Sequence, residues 1–241
     1  MAEIPYILTV DESNNDSIVT LSALGSSRPA FTNGNFGFIE IESLGVKATS
    51  KEFIVELESS SINRKLSNRA IHANTIFGAS GKFLMLPKKI VLEKNHALFL
   101  NVSDLSDSIN YLRFFFHGKK ISDNKKYDSN EYTFFYTTDS NIELSANEEK
   151  TEYITFDYGN FILHNLHCYS DGAFKFKISN TRDGLAWSNG WIHSDSLSSA
   201  EYNRIFEKAK IEKNSKLKIE IVDLSSAANR IFFTLIGINQ G

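Results

Sequence analysis

Ile90–Gly118 reads IVLEKNHALFLNVSDLSDSINYLRFFFHG, and Ala209–Gly237 reads AKIEKNSKLKIEIVDLSSAANRIFFTLIG. At a constant offset of 119 residues and without a gap, Glu93-Lys94-Asn95 falls on Glu212-Lys213-Asn214 and Asp104-Leu105-Ser106 on Asp223-Leu224-Ser225. Asn110 likewise falls on Asn229, Phe114 on Phe233 and Gly118 on Gly237. Upstream, at an offset of 121, Phe53 matches Phe174, Ser67-Asn68 matches Ser188-Asn189, and Ile71-His72 matches Ile192-His193. An indel between the two blocks accounts for the change of offset. A period this long exceeds the roughly 20–50 residues of solenoid units. Each copy is therefore domain-sized, and the chain is expected to be a tandem pair of similar small domains.

Local patterning assigns the class of those domains. Phe38–Glu42, Phe174–Ile178 and Leu217–Ile221 alternate apolar and charged residues, the period of a half-buried strand. Leu112–Phe116 and Ile231–Ile236 are nearly continuous apolar runs, as expected of strands covered on both faces. Turn clusters such as Thr32–Asn35, Gly78–Gly81, Ser170–Gly172 and Arg182–Gly184 separate the runs. The one helical pattern is Ser198–Lys208. The expectation is an all-β chain of two internally duplicated β-sandwich or jelly-roll domains. Their bounds are read as 31–121 and 130–241, with a linker at 122–129. Residues 1–30 lie outside the visible repeat and are read as an extended segment, either an edge strand that starts the first domain or an arm that adds to a neighbouring subunit. Within it Ile4, Tyr6 and Leu8 are candidate contacts to other subunits, because an apolar extended segment can add to a free sheet edge.

The bulk numbers narrow the function. The 241 residues carry 41% hydrophobic and 23% charged residues, ordinary for a globular protein. A net charge of −3 gives no basic footprint, so nucleic-acid binding is not expected. No stretch reaches the ~18 apolar residues of a membrane span, and no membrane partner is expected. The start lacks the basic and apolar regions of a signal peptide. Cys168 is the single cysteine, which excludes an internal disulfide.

Few residues suggest chemistry. His164, His167 and Cys168 have metal-ligand side chains. In a strand, however, 164 and 167 face opposite sides and nothing completes a set of about four ligands. His72 and His193 recur in one frame, which favours a structural role bonding a turn carbonyl. No nucleophile elbow, phosphate loop or dinucleotide fingerprint occurs. The expectation is a non-enzyme with no catalytic residue, metal or cofactor. Trp187 aligns with Leu66 and reads as core. Trp191 replaces Ala70, belongs to the second copy alone, and is the candidate for stacking on a ligand. Asp104, Asn110, Asp223 and Asn229 read as turn residues that bond nearby backbone, since a scaffold turn recurs in both copies while a catalytic group need not.

The frame Leu66-Ser67-Asn68-x-x-Ile71-His72-x-x-x-Ile76-Phe77-Gly78, followed by Phe83–Pro87, Asp104-Leu105-Ser106, Asn110 and Phe116-His117-Gly118, resembles β-sandwich structural proteins of tailed-bacteriophage virions. The likeness covers most of the first copy. The second lacks the Phe-Gly and Leu-Pro elements. The resemblance implies a virion protein made in the host cytoplasm. It would be a capsid cement, decoration or minor capsid protein that contacts the major capsid protein or other virion proteins as an oligomer or lattice component. Two alternatives stand beside it: a carbohydrate- or receptor-binding module of a phage tail or virion, and a small double-jelly-roll major capsid protein whose two barrels form one lattice block.

Overall fold

The computed structural model describes residues 3–9, 18–34, 37–77, 83–122, 130–138, 142–196 and 208–241. The expected linker from 123 onward, the Gly78–Gly81 turn and nearly all of the Ser198–Lys208 helix lie outside the described residues. The chain divides into two units, Met1–Thr133 and Phe134–Gly241.

The first unit contains β1 (Glu3–Thr9), β2 (Val19–Leu21), β3 (Ser26–Ser27), β4 (Ala30–Thr32), β5 (Phe38–Ala48), β6 (Phe53–Ser59), β7 (Arg64–Lys65), β8 (Ile71–His72), a short helix α1 (Ala73–Ile76), β9 (Leu84–Glu93), β10 (Ala97–Asp104) and β11 (Asn110–Ile121). One sheet runs β1-β11-β5-β9, with β2 also on β11; the other runs β3-β10-β6-β7, with β4 on β10 and β8 on β6. Counted as eight successive segments, with β1 and β2, β3 and β4, and β7 and β8 each taken together, the sheets read first-eighth-third-sixth and second-seventh-fourth-fifth. This interleaving is the jelly roll.

The second half repeats it. Its strands are β12 (Glu131–Thr137), β13 (Ile142–Leu144), β14 (Glu149–Thr155), β15 (Asn160–Ser170), β16 (Phe174–Asn180), β17 (Ile192–His193), β18 (Ala209–Ile211), β19 (Lys216–Asp223) and β20 (Asn229–Gln240). The sheets run β12-β20-β15-β18, with β13 on β20, and β14-β19-β16-β17. The segment order is again first-eighth-third-sixth and second-seventh-fourth-fifth. The protein is thus all-β, with antiparallel sheets forming two jelly-roll sandwiches.

In the strand order the first strands belong to the repeated unit. β1 lies antiparallel along β11 from Glu3 opposite Ile121 to Thr9 opposite Phe115, and β2 continues beside β11 from Val19 to Leu21. These strands occupy the place that β12 and β13 take in the second half. Sequence similarity fades there because an edge strand is held by main-chain bonds, which constrain side chains weakly.

Period-two burial builds each core. Leu112, Phe114 and Phe116 point inward from β11, and Ile231, Phe233 and Leu235 from β20; all are buried. Phe53 meets Phe114 edge-on with ring centroids 6.2 Å apart, and the matching Phe174 meets Phe233 at 5.5 Å. Each such ring contributes about 1.5–3 kcal/mol by burial. The continuous burial expected of Ile231–Ile236 is observed, whereas in the first domain Arg113 is exposed and Phe115 half-buried.

Both central strand pairs carry a bulge at the same place. Register shifts between His117 and Gly118 against β5, which leaves Glu42 as the extra residue, and between Leu163 and Asn165 against β20, which leaves His164 as the extra residue. A β-carbon on Gly118 would strike the Glu40 carbonyl oxygen, and one on Gly237 the Ile162 carbonyl oxygen. Glycine is therefore required at these bulges by close backbone approach. Gly118→Ala and Gly237→Ala are each expected to cost about 1–3 kcal/mol or more, read as a lowered urea midpoint. Gly190→Ala, with no atom within 4 Å of its added carbon, should leave the midpoint nearly unchanged.

Candidate functional site

The repeated Asp-Leu-Ser…Asn block forms one buried polar cluster in each domain. Asp104 ends β10 and Asn110 begins β11, so the tight connection between them brings the two side chains together. Asn110 Nδ2 donates to Asp104 Oδ1 at 2.9 Å and lies at the same distance from the Ser50 carbonyl oxygen, while its Oδ1 accepts from the Ser50 amide at 3.0 Å. The other carboxylate oxygen accepts from the Ser106 amide at 3.1 Å, the Ser106 hydroxyl at 2.8 Å and the Leu24 amide at 3.3 Å.

The second domain repeats the arrangement, with the asparagine reaching the backbone of two neighbouring residues, Gly172 and Ala173, in place of one. Asn229 Nδ2 donates to Asp223 Oδ1 at 2.7 Å, and Asn229 Oδ1 accepts from the Gly172 amide at 2.8 Å. Asp223 Oδ2 accepts from the amides of Ser225 and Asn147 and from the Ser225 hydroxyl, each at 3.0 Å. Leu24 and Asn147, the paired amide donors from the turn before the second strand segment, both have left-handed backbones, at φ 54° and 60°. All four Asp and Asn side chains are buried, and protein groups fill their hydrogen-bonding positions. Such a cluster ties strands together and leaves no open face for a substrate.

Charge in the cluster is stabilised by the same bonds. Burial alone would raise the Asp223 carboxyl, but hydrogen bonds from Asn229, Asn147 and Ser225 hold it below the usual carboxylate range.

The histidines prove to be local. His72 is buried; its Nδ1 accepts from the Asn74 amide at 3.3 Å and caps α1. His193 Nδ1 accepts from the Asp195 amide at 3.3 Å at the 3-10 turn Ser194–Ser196. The recurring histidine thus caps a short helical turn through an amide, and not through the carbonyl expected from the sequence. His164 is the bulge residue, and His167 lies opposite Thr234 on the next strand. Cys168 is buried with Sγ 4.0 Å from the Ser194 carbonyl oxygen, and burial, assisted by Asp195, pushes its thiol up to about 12. A thiol of that kind is unreactive. Among the described residues no group of three or more His, Cys, Asp or Glu is placed to hold a metal ion, and no helix is long and apolar enough to cross a membrane.

Trp191 stands 41% exposed, with Lys175 Nζ 5.1 Å and Lys177 Nζ 4.6 Å from its ring centroid. Trp187 is half-buried and donates its amide to the Ile178 carbonyl at 2.8 Å. Of the apolar side chains singled out near the N-terminus, Leu8 is buried opposite Phe116, which removes it as a contact for other subunits. Tyr6 is half-buried under Lys120 Nζ, 3.7 Å from its ring. Ile4 and Ile7 are the exposed members, at 51% and 57%; the exposure of Ile7 depends on which face of the strand meets the core, which the sequence alone does not specify.

No family model matches the sequence, and no curated protein does either. Among solved structures, the major capsid protein P2 of bacteriophage PM2 is similar over 98% of this chain and 97% of that one, at 10% identity and a TM-score of 0.46. A chain of Sulfolobus turreted icosahedral virus is similar over 98% and 91%, at 9% identity and a TM-score of 0.42. The PBSX exported protein XepA is similar over 97% and 86%, at 14% identity and a TM-score of 0.27. These likenesses are distant, and the jelly-roll assignment rests on strand order.

Asn110→Ala and Asn229→Ala are each expected to cost about 1–3 kcal/mol, since each strands buried partners. The Asn229→Ala penalty should also depend on pH. Asp223 has a depressed folded-state pKa, so its contribution is complete above the ordinary carboxylate value and lost as pH falls through the depressed one. Chemical denaturation should therefore show a larger Asn229→Ala penalty at pH 7 than at pH 3. Equal penalties would show that the amide does not act through the carboxylate.

Proposed function

We propose that the chain is a shell-forming virion protein of the double-jelly-roll kind, in which the two sandwiches serve together as one lattice block, and that it carries no enzymatic activity. The strand order carries this reading. Jelly rolls serve viral capsids, lectins and cupins. A cupin needs clustered metal ligands, and none occurs among the described residues. A lectin reading rests on Trp191, whose ring is already accompanied by two lysines. The extended N-terminal segment is not a free arm: Glu3–Thr9 is bonded along β11 of its own domain. With that arm used internally, assembly surfaces must lie on the sandwiches themselves, as in a shell subunit.

The exposed edge of β1, with Ile4 on one face and Ile7 on the other, is proposed to form part of such a surface. A scattered exposed apolar residue is ordinary, but two on an edge strand present both side chains and free main-chain groups to a neighbour.

The test is copy number and dependence. Particles imaged by electron microscopy and quantified by mass spectrometry should contain this chain as the most abundant protein, and no shell should survive its removal. Shells that persist after the chain is stripped would return it to the cement class. Ile4→Asp/Ile7→Asp should keep the wild-type melting temperature yet fail to enter particles. Normal incorporation would remove the edge strand from the interface.

A further inference from the structure

Several charges on the outer faces of this protein are paired with one of opposite sign. Lys89 lies 2.9 Å from Glu42, Lys65 2.9 Å from Glu56, Lys218 3.0 Å from Glu220, and Arg230 2.7 Å from Asp171. Lys47 and Arg113 are not among them. They sit directly opposite one another across the antiparallel pair β5–β11, both are exposed, and among the described residues no ion pair joins either to a carboxylate. Like charges directly opposed on one sheet face are destabilising.

The internal repeat supplies a control. The residues equivalent to Lys47 and Arg113 in the second domain are Tyr169 and Phe232, which also lie opposite one another and stack with centroids 6.1 Å apart. Two residues along, the equivalent of Tyr111 is Arg230, which is paired with Asp171. The jelly roll therefore closes at this place without a cation pair, and the repulsion in the first domain is not imposed by the scaffold.

The pair borders a shallow cleft of about 350 Å³ lined by Ile18, Lys47, Ala48, Thr49, Tyr111 and Arg113. Tyr111 is 50% exposed, and its phenol adds a neutral donor beside the two cations. Arginine offers a planar fork suited to two oxygens of one anion, and lysine a point charge. Two positive charges balance a dianion better than a single carboxylate. A phosphoryl group carries about −1.5 to −2 at pH 7 with three acceptor oxygens.

We propose that Lys47, Arg113 and Tyr111 form a binding site for a phosphate group on the outer face of the first jelly roll, taken either as the free ion or as the exposed headgroup of a phospholipid. The anion removes the cross-strand repulsion, so occupancy and local stability rise together. The interaction is exposed and weakens with ionic strength.

The experiment titrates the full chain with sodium phosphate against sodium chloride at matched ionic strength, following the melting temperature and the ³¹P linewidth. Wild type should show saturable broadening and a phosphate-specific rise in melting temperature. Lys47→Ala and Arg113→Ala should each weaken binding about tenfold. Lys47→Glu, which converts the repulsion into an ion pair, should melt at or above wild type without phosphate and lose the phosphate response, so that a folding defect cannot imitate the result. Vesicles containing phosphatidic acid, compared with phosphatidylcholine alone, identify the source. Phosphate binding without sedimentation on phosphatidic acid assigns the free ion, and both together assign the headgroup. A phosphate response equal in wild type and Lys47→Glu overturns the site. So does a fall in melting temperature for Lys47→Glu, which would show the cations already neutralised.

Discussion

Each domain hangs on one buried carboxylate and one buried amide. Asp104 and Asn110, like Asp223 and Asn229, stand at the two ends of a tight connection between the seventh and eighth strand segments. From there they reach main-chain groups that belong to other segments. In the first domain these are Leu24 before the second segment and Ser50 before the fourth; in the second they are Asn147 and Gly172. A jelly roll must bring segments far apart in sequence to one corner, and loop closure opposes this. A saturated polar cluster fixes the corner geometrically, because each bond is satisfied in only one arrangement. The aromatic cores fill the space behind it but are more tolerant of which ring lies where.

This division of labour explains what could be read from sequence. The corner needs an acid, a serine and an amide at fixed spacing, so the Asp-Leu-Ser…Asn block survives in both copies with no gap. Glu-Lys-Asn survives for a related reason. Asn95 and Asn214 both adopt a left-handed backbone at φ 63°, and their amides reach Asn33 O at 2.7 Å and Phe156 O at 2.6 Å. Asparagine tolerates that conformation better than most residues. Gly118 and Gly237 persist because a neighbouring carbonyl occupies the place of a side chain. Backbone constraints of this kind write themselves into residue identity.

The first strands left no such mark. Residues 3–9 pair with β11 through main-chain bonds, and only Leu8 among them is buried. Almost any extended, half-apolar segment satisfies those demands, so the counterpart β12, with its run of buried aromatics from Phe134 to Tyr136, shares no residue pattern with it. The eye therefore sees an unrelated arm where the fold has an equivalent edge strand. The capping histidines show a milder version of the same limit. Their recurrence signalled structure, but whether the ring bonds an amide or a carbonyl depends on a turn conformation that sequence spacing does not specify.

Duplication also makes the chain its own comparison, and this has a consequence for where function is to be sought. Positions that agree between the copies are those the jelly roll requires: the corner clusters, the bulge glycines, the capped turns. The exposed positions that differ are those where each copy departs from what the fold requires. Three such differences stand out physically. Trp191 replaces Ala70, the cation pair Lys47–Arg113 replaces the stack Tyr169–Phe232, and the edge strand β1 exposes Ile4 and Ile7 where β12 is buried. Each carries a cost that the other copy avoids, either exposed apolar area or opposed like charge.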